Sequence, residues 1–487
     1  MSKNAQYNVL WICTDQQRWD TLGCYGNPYV HTPNLDRLAQ NGTRFERAYC
    51  QNPTCSPSRA SFLTGRYPRT TRCRQNGQRI PRDEKLISKI FSEQGYVCGL
   101  SGKLHLNPCN PDICKGMEER IDDGYDVFHW SHGGHDGWAT HEYFQWLREK
   151  GQRFSACNVE GTELVQYGMN EEYHQTTWCT EKALNFIEAN VEYKNPWFFS
   201  LNIYDPHHPF DPPKAYLDRY MDCLDDLPLP NYAPGELDDK PLFQKLDHKG
   251  AYNNHDSNNA AIIYDNMSDW EHRLMKASYY AMVDLIDKQV GRLIDTLERL
   301  GQLENTIVIF TSDHGEMLGD HGIYLKGPYF YEGATHIPLI ISCPGTIRQG
   351  FSSSALVELV DLSPTLTEAI GLDTQPQMQG KSLWDLLTDP NCEDRHKNCI
   401  YCEYYNSMPW HKAPNAQCTM VFDGRYKLVN VHSTKEGELY DLSKDPKETH
   451  NLWDDPDYTS VKISKLVQLS DAMAFTVDPM GERLSAW

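Results

Sequence analysis

Positive charge is what this chain has least of: 46 Lys and Arg face 67 Asp and Glu, a net charge of −21 over 487 residues. That balance argues against nucleic acid or a membrane surface as partner, because the long-range field repels both. An anionic substrate would need a local positive site for the same reason. Long apolar runs are missing too, since no stretch approaches the roughly 18 residues that a membrane span requires. The six-residue run Asn8–Cys13 starts almost at Met1, without the basic segment and cleavage site of a secretory leader. The expected compartment is therefore cytoplasmic. The 16 cysteines lack the pairing rhythm of a small secreted scaffold, and Cys399-x-x-Cys402 has no second pair to complete a zinc site. The thiols are expected to be mostly reduced and buried. No internal repeat or low-complexity tract is present.

What is there suits a large enzyme. Hydrophobic residues make up 39 % of the chain, with 12 Trp and 28 Tyr, ample for one large domain and a smaller appended one. The division expected is 1–375 for a catalytic domain and 376–487 for a C-terminal α+β subdomain. Short apolar runs of buried-strand type, Asn8–Cys13, Tyr96–Leu100, Trp197–Ile203, Thr306–Thr311 and Ile337–Ser342, alternate with helical patterns. This predicts an α/β fold with a large, mostly parallel central sheet flanked by helices. Helices are expected from Thr32-Pro33 to Gly42, over Lys85–Gln94, and from about Trp270 to Leu300, stopped by Gly301. Residues 105–175 and 205–265 read as irregular, substrate-facing loops. Beyond about 375, short strands at Cys399–Tyr405, Cys418–Phe422, Tyr426–Val431 and Glu438–Leu442 predict a small antiparallel sheet.

Ligands of an open parallel sheet bind beyond the carboxyl ends of its strands. Those ends carry Asp15-Gln16, Lys103-Leu104-His105, Asp205-Pro206-His207-His208 and Asp313-His314-Gly315-Glu316. One Asp after a strand is commonly a helix cap; four such ends offering Asp, Lys and His to the same edge point to a site. Asp15, Gln16, Asp313 and His314 suit one divalent cation, a hard ion such as Ca²⁺ or Mg²⁺ by their oxygens, with Mn²⁺ or Zn²⁺ opened by the histidine. The segment Cys55-Ser56-Pro57-Ser58-Arg59 with Gly65 reads as a helix with Pro in its first turn and Gly at its C-cap. Cys55 then lies where free amides and the dipole favour an anion, with Arg59 one turn on along the same face, placed to steady a charged or hydrated group there. A cysteine of lowered pKa doing ordinary thiolate chemistry remains open on this evidence. The Cys-x3-Arg spacing is not that of the Cys-x5-Arg phosphate loop. His129, His132 and His135 read equally as pocket lining or as structural.

With these residues in view, the chain resembles the type I sulfatases of the alkaline-phosphatase-like superfamily. The resemblance rests on C-S-P-S-R-A-S-F-L-T-G-R at 55–66, G-K-L-H at 102–105, P-H-H-P-F at 206–210, S-D-H-G-E at 312–316, L-K-G-P-Y-F-Y-E-G-A at 325–334 and E-L-Y-D-L-S-K-D-P-K-E-T-H-N-L at 438–452. It implies an alkaline-phosphatase-like fold and a sulfatase. Cys55 would be oxidised to formylglycine by a maturation enzyme, and its hydrated form would attack sulfur with one hydroxyl and release sulfate with the other. By the same resemblance Asp15, Gln16, Asp313 and His314 hold the cation beside residue 55, Ca²⁺ being expected and Mg²⁺ or Mn²⁺ the alternatives. Lys103 and Lys326 neutralise the ester oxygens, His105 assists the hydrated aldehyde, and His207 protonates the leaving oxygen. Asp-Gln with Asp-His at the metal positions is also similar to choline-sulfatase-like and phosphonate-monoester-hydrolase-like members, as is Asn76 in R-Q-N-G. Asn76 would contact the ester oxygens, and His208 is expected to contact substrate or pack its loop. The implied substrate is a small-molecule or saccharide sulfate ester. A phosphonate monoester or phosphodiester hydrolase with the same nucleophile is the alternative, and a non-catalytic binder of sulfated glycans a third reading. The sequence leaves a homo-oligomer open.

Overall fold

The first strand, β1 (Asn8–Thr14), is buried along its whole length, as a largely apolar run must be when helices cover both faces of its sheet. In the computed structural model, which describes residues 6–134, 136–250, 262–408, 413–414 and 416–479, β1 lies within an eight-stranded sheet. Its other members are β2 (Gly42–Phe45), β3 (Val97–Gly102), β4 (Val127–Trp130), β5 (Trp197–Asn202), β6 (Thr306–Ser312), β7 (Leu339–Ser342) and β8 (Phe351–Ser353). Their order is β8-β2-β7-β6-β1-β5-β3-β4. The run β6-β1-β5-β3-β4 is parallel throughout. Only β7 runs against its neighbours β6 and β2.

Alternation along β1 divides the core in two. Leu10 and Ile12 pack with apolar residues of α1 (Pro33–Gln40), α4 (Gln175–Tyr193) and α5 (Asp269–Arg299). Val9, Trp11 and Cys13 pack on the other face with α2 (Cys55–Thr64), α3 (Ile87–Glu93) and α6 (Leu362–Ala369). The long helix α5 opens with a capping box, Ser268 accepting from the Glu271 amide while the Glu271 carboxylate accepts from the Ser268 amide.

Beyond the main sheet, β9 (Ile400–Tyr405), β10 (Gln417–Phe422), β11 (Tyr426–Val431) and β12 (Gly437–Asp441) form an antiparallel meander. One face joins Met317, Ile323, Tyr329, Phe330 and Tyr331 in a common core. The other packs with Leu469 of α7 (Thr459–Phe475). The meander thus backs the loop after β6. Lys427 of β11, fully buried, ties the two together through ion pairs of 2.7 Å to Glu332 and to Glu448.

The fold differs from the sequence reading in three places. The 105–175 stretch holds an edge strand of the main sheet, β4, and a helix, Glu142–Glu149, while 205–265 holds helices at Lys214–Met221 and Leu242–His248. These elements are short and sit among polar residues, so they carry little periodicity. Gly42 does not close α1; Asn41 does, and Gly42 opens β2. The Ile337 run enters its strand only at Leu339. All sixteen cysteines are free thiols, and no helix among the described residues is long and apolar enough to cross a membrane.

Candidate active site

Four adjacent parallel strands, β6, β1, β5 and β3, end on one edge, and the chain beyond each end bends into a common centre around Cys55. The bends are sharp. At the end of β3, Gly102 has φ +99, and a Cβ there would lie 1.9 Å from the Asn202 carbonyl, so only glycine lets Lys103 turn inward. Gln16, His105 and Leu325, none of them glycine, hold φ of 67°, 58° and 66°. Left-handed backbone costs of order 1–3 kcal/mol at each such position and gathers at functional sites.

Cys55 is the first residue of α2, whose C-cap Gly65 has φ 70°. Thr54 gives this helix no side-chain cap; instead the Asn76 side chain reaches across, its Oδ1 accepting the Ser56 amide at 2.9 Å. The Asn76 Nδ2 lies 3.3 Å from the Met408 sulfur. Asn76 therefore caps the helix that carries Cys55, and its side-chain bonds go to protein atoms.

The Cys55 sulfur is 3.2 Å from Lys326 Nζ and from His314 Nε2, and 3.7 Å from Lys103 Nζ and from Asp15 Oδ1. Burial alone would push the thiol up; Lys103, Lys326 and His314 overcome it and hold Cys55 well below the ordinary thiol range. A unit charge at about 4 Å is worth roughly 4 kcal/mol at an effective dielectric near 20, and two ammonium groups act together here. Lys103 Nζ also pairs with Asp15 Oδ2 at 2.6 Å. Lys326 Nζ donates to Gln16 Oε1 at 2.6 Å and contacts His207 Nε2 at 2.7 Å.

Asp15, Asp313 and His314 present ligand atoms that lie with the Cys55 sulfur within 4.8 Å of one another. Two carboxylates and an imidazole fit a divalent cation. His314 Nδ1 bonds the Gly315 carbonyl at 2.9 Å, which leaves Nε2 facing the centre, as a metal-binding histidine needs. Burial would lower the His314 pKa, but Asp313 and Cys55 raise it to about 9. Arg59, 1 % exposed, does not bond the sulfur. Its Nε donates to Asp313 Oδ2 at 2.8 Å, Nη2 to Asp15 Oδ2 at 3.2 Å and Nη1 to the Lys103 carbonyl at 2.8 Å. It fixes the two carboxylates relative to α2.

His207 is pushed down to about 4 by burial and Lys326. Its Nδ1 bonds the His208 carbonyl at 2.6 Å, so Nε2 is the ring atom that accepts from Lys326. His208 stacks on it at 4.1 Å and is nine-tenths buried. His105 is drawn below its usual value by burial and Lys103. The three further histidines separate: His129 pairs with Glu142 at 2.7 Å, while His132 packs edge-on against His105. His135 lies outside the described residues.

Supporting groups went unrecognised in the sequence. The Glu316 carboxylate accepts from the Gln16 side-chain amide and from the Leu318 and Leu325 amides, folding the Lys326 loop back onto β1. It stands within S-D-H-G-E, which could have flagged it. Glu118 accepts the His105 and Leu106 amides at 2.9 and 3.0 Å, and Tyr279 of α5 donates to the Gln16 carbonyl. No local pattern marks either residue.

The sulfatase family model matches residues 7–372, and that of the N-sulphoglucosamine sulphohydrolase C-terminal region matches 319–474. An arylsulfatase of Clostridium perfringens is 31 % identical over 471 residues, 93 % of this chain and 91 % of that protein. An N-acetylglucosamine-6-O-sulfatase of Bacteroides thetaiotaomicron is 27 % identical, over 95 % of this chain and 85 % of its own. Among solved structures, the phosphonate monoester hydrolase of Agrobacterium radiobacter superposes with a TM-score of 0.84 at 26 % identity, covering 97 % of this chain and 96 % of that one. Strand ends, the Cys55 helix and nearly full-length similarity converge on one conclusion: the chain belongs to the sulfatase family of the alkaline-phosphatase-like superfamily and is a sulfuric ester hydrolase.

Proposed function

We propose that the protein hydrolyses sulfate esters of small molecules or saccharides at residue 55, after a maturation enzyme has converted Cys55 to formylglycine, with a divalent cation held beside it. The observation that carries this reading is the placement of two ammonium groups, an imidazole and a carboxylate within 3.7 Å of the Cys55 sulfur. Neutralising the ester oxygens is the main way a protein can speed attack on a sulfate, and a buried cationic cluster does so without reorganisation. As the aldehyde hydrate, residue 55 would supply one hydroxyl for attack and a second for release. Asp15, Gln16 and Asp313 by their oxygens and His314 by Nε2 would hold the cation, Ca²⁺, which would add charge stabilisation at the ester oxygens. Lys103 and Lys326 would take the remaining ester oxygens, and Arg59 and Glu316 would keep these groups in place.

His207 needs a closer account. A histidine that accepts on Nε2 cannot donate to a leaving oxygen from that atom. The proton would come from Lys326, 2.7 Å away, so that the Lys326–His207 pair acts as one acid. His105 would assist the hydrate from the end of β3. The N-acetylglucosamine-6-O-sulfatase relative supports a saccharide as the alcohol half. We take 1–375 as the catalytic domain and 376–487 as the subdomain that backs the Lys326 loop.

The test has two arms. The tryptic peptide Ala48–Arg59, from protein made in its native host, should show H₂S replaced by O at Cys55; an unmodified thiol in active enzyme would reject the mechanism. Parallel turnover of aryl sulfate and aryl phosphonate should favour the sulfate. A phosphonate rate higher by orders of magnitude would make the protein a phosphonate monoester hydrolase, the activity named for the structural relative. Lys326→Ala is expected to lower kcat/KM about 10²–10³-fold, the usual cost of one preorganised charge donor. Its unfolding midpoint should move far less. A collapse of the midpoint with little kinetic change would assign Lys326 to structure.

A further inference from the structure

At the His105 end of the catalytic edge lies a second cluster with metal-ligand chemistry. His105, Cys109 and His132 each present a ligand atom, and the three atoms lie within 4.8 Å of one another. Two observations set the cluster apart from chance neighbours. His105, 9 % exposed, keeps a buried Nδ1 that bonds to nothing, and so does His132. A buried ring nitrogen without a partner is costly, and each becomes a lone-pair donor in the tautomer that carries its proton on Nε2. The cluster is also firmly framed. The Glu118 carboxylate accepts the His105 and Leu106 amides and the Trp130 indole N–H at 3.0 Å, and stands 3.5 Å from the Cys109 sulfur.

We propose that His105, Cys109 and His132 bind a soft divalent cation, zinc above all, at a site separate from the Asp15–Asp313 centre, and that zinc there withdraws His105 from residue 55 and inhibits the enzyme. Two imidazoles and a thiolate are zinc donors, whereas the oxygen-rich centre at Asp15 suits a hard ion, so the two sites select different metals. In a tetrahedral zinc site such donors stand roughly 3.5 Å apart, so closure asks for a movement of about 1 Å by side chains whose rings already meet at 4.6 Å. Binding forms a Zn–S bond and releases the Cys109 proton to solvent, while the two rings donate lone pairs without a change in redox state. Burial and Glu118 hold the Cys109 thiol well above its ordinary value, so zinc affinity rises with pH. Burial and His105 keep His132 neutral and free to ligate. The inhibitory consequence rests on the role proposed above for His105; the binding site does not.

The test adds Co²⁺, and separately Zn²⁺, to the full chain already saturated with Ca²⁺, in the wild type, Cys55→Ala, Cys109→Ser and His132→Gln. The expected result is a near-ultraviolet thiolate-to-cobalt charge-transfer band, stoichiometric with the chain, in the wild type and in Cys55→Ala. It should be lost in Cys109→Ser and in His132→Gln, with the far-ultraviolet circular dichroism of all four proteins alike. A band that survives Cys109→Ser, a band lost with Cys55→Ala, or no band in the wild type overturns the site. Zinc should inhibit the wild type, and Cys109→Ser should need about tenfold more zinc or higher for half-inhibition, its uninhibited rate unchanged. Equal inhibition of both overturns the link to His105. Any ester that the enzyme turns over serves for the rate arm, so failure of the sulfate reading leaves the cobalt arm decisive.

Discussion

Cys55→Ala is expected to lower turnover by at least about 10⁴-fold, because loss of a nucleophile costs about as much as loss of all the groups that act through it. The fold should survive. Cys55 is 1 % exposed, but only one side-chain heavy atom is removed, the sulfur or the oxygen that replaces it, and Lys103 and Lys326 keep their bonds to Asp15 and Gln16. The cavity should cost about 1 kcal/mol, a small part of what the stability of such a chain allows. Turnover of an aryl sulfate and the denaturant midpoint, measured on the same preparation, separate the two effects. Activity within about tenfold of the wild type would mean that attack comes from another group, and the lysines around residue 55 would then serve binding alone.

How much of this was legible in the sequence depends on how local each feature is. The Cys55 helix was readable because Pro57 and Gly65 punctuate it within ten residues, and its limits, Cys55–Thr64, follow. The expected helix from about 270 to 300 is α5, Asp269–Arg299, since capping and an apolar stripe are written along one segment. The four strand ends were readable for the same reason, each an apolar run followed by a polar one. Strand order was not, because β6-β1-β5-β3 is decided by contacts between segments hundreds of residues apart. The edge strand β4 escaped because Val127–Trp130 is four residues long, and its first three are only partly buried. Nothing in R-Q-N-G shows that the Asn76 side chain caps a helix twenty residues earlier. Arg59 makes its bonds to Asp15 and Asp313, just beyond the ends of β1 and β6, so the carboxylates it holds cannot be read from the motif.

Those partners give Arg59→Met an effect of a different kind. Among the described residues Arg59 is the only guanidinium paired with Asp15 and Asp313, both fully buried. Methionine fills much of the same volume without the charge, and Lys103 would remain on Asp15 alone. Removing one partner of a buried ion pair typically costs about 3–5 kcal/mol, because the other charge stays behind uncompensated. We expect a loss of that size in denaturant unfolding without added cation, together with a large fall in turnover as the carboxylates lose their alignment. A divalent cation bound between the same carboxylates supplies the missing positive charge, so added Ca²⁺ should restore the midpoint of the variant more steeply than it raises that of the wild type. If Arg59 instead steadied a charged group on residue 55, turnover would fall while the cation-free midpoint stayed where it was. The unfolding curve, more than the rate, therefore decides whether this arginine serves the nucleophile or the two carboxylates beside it.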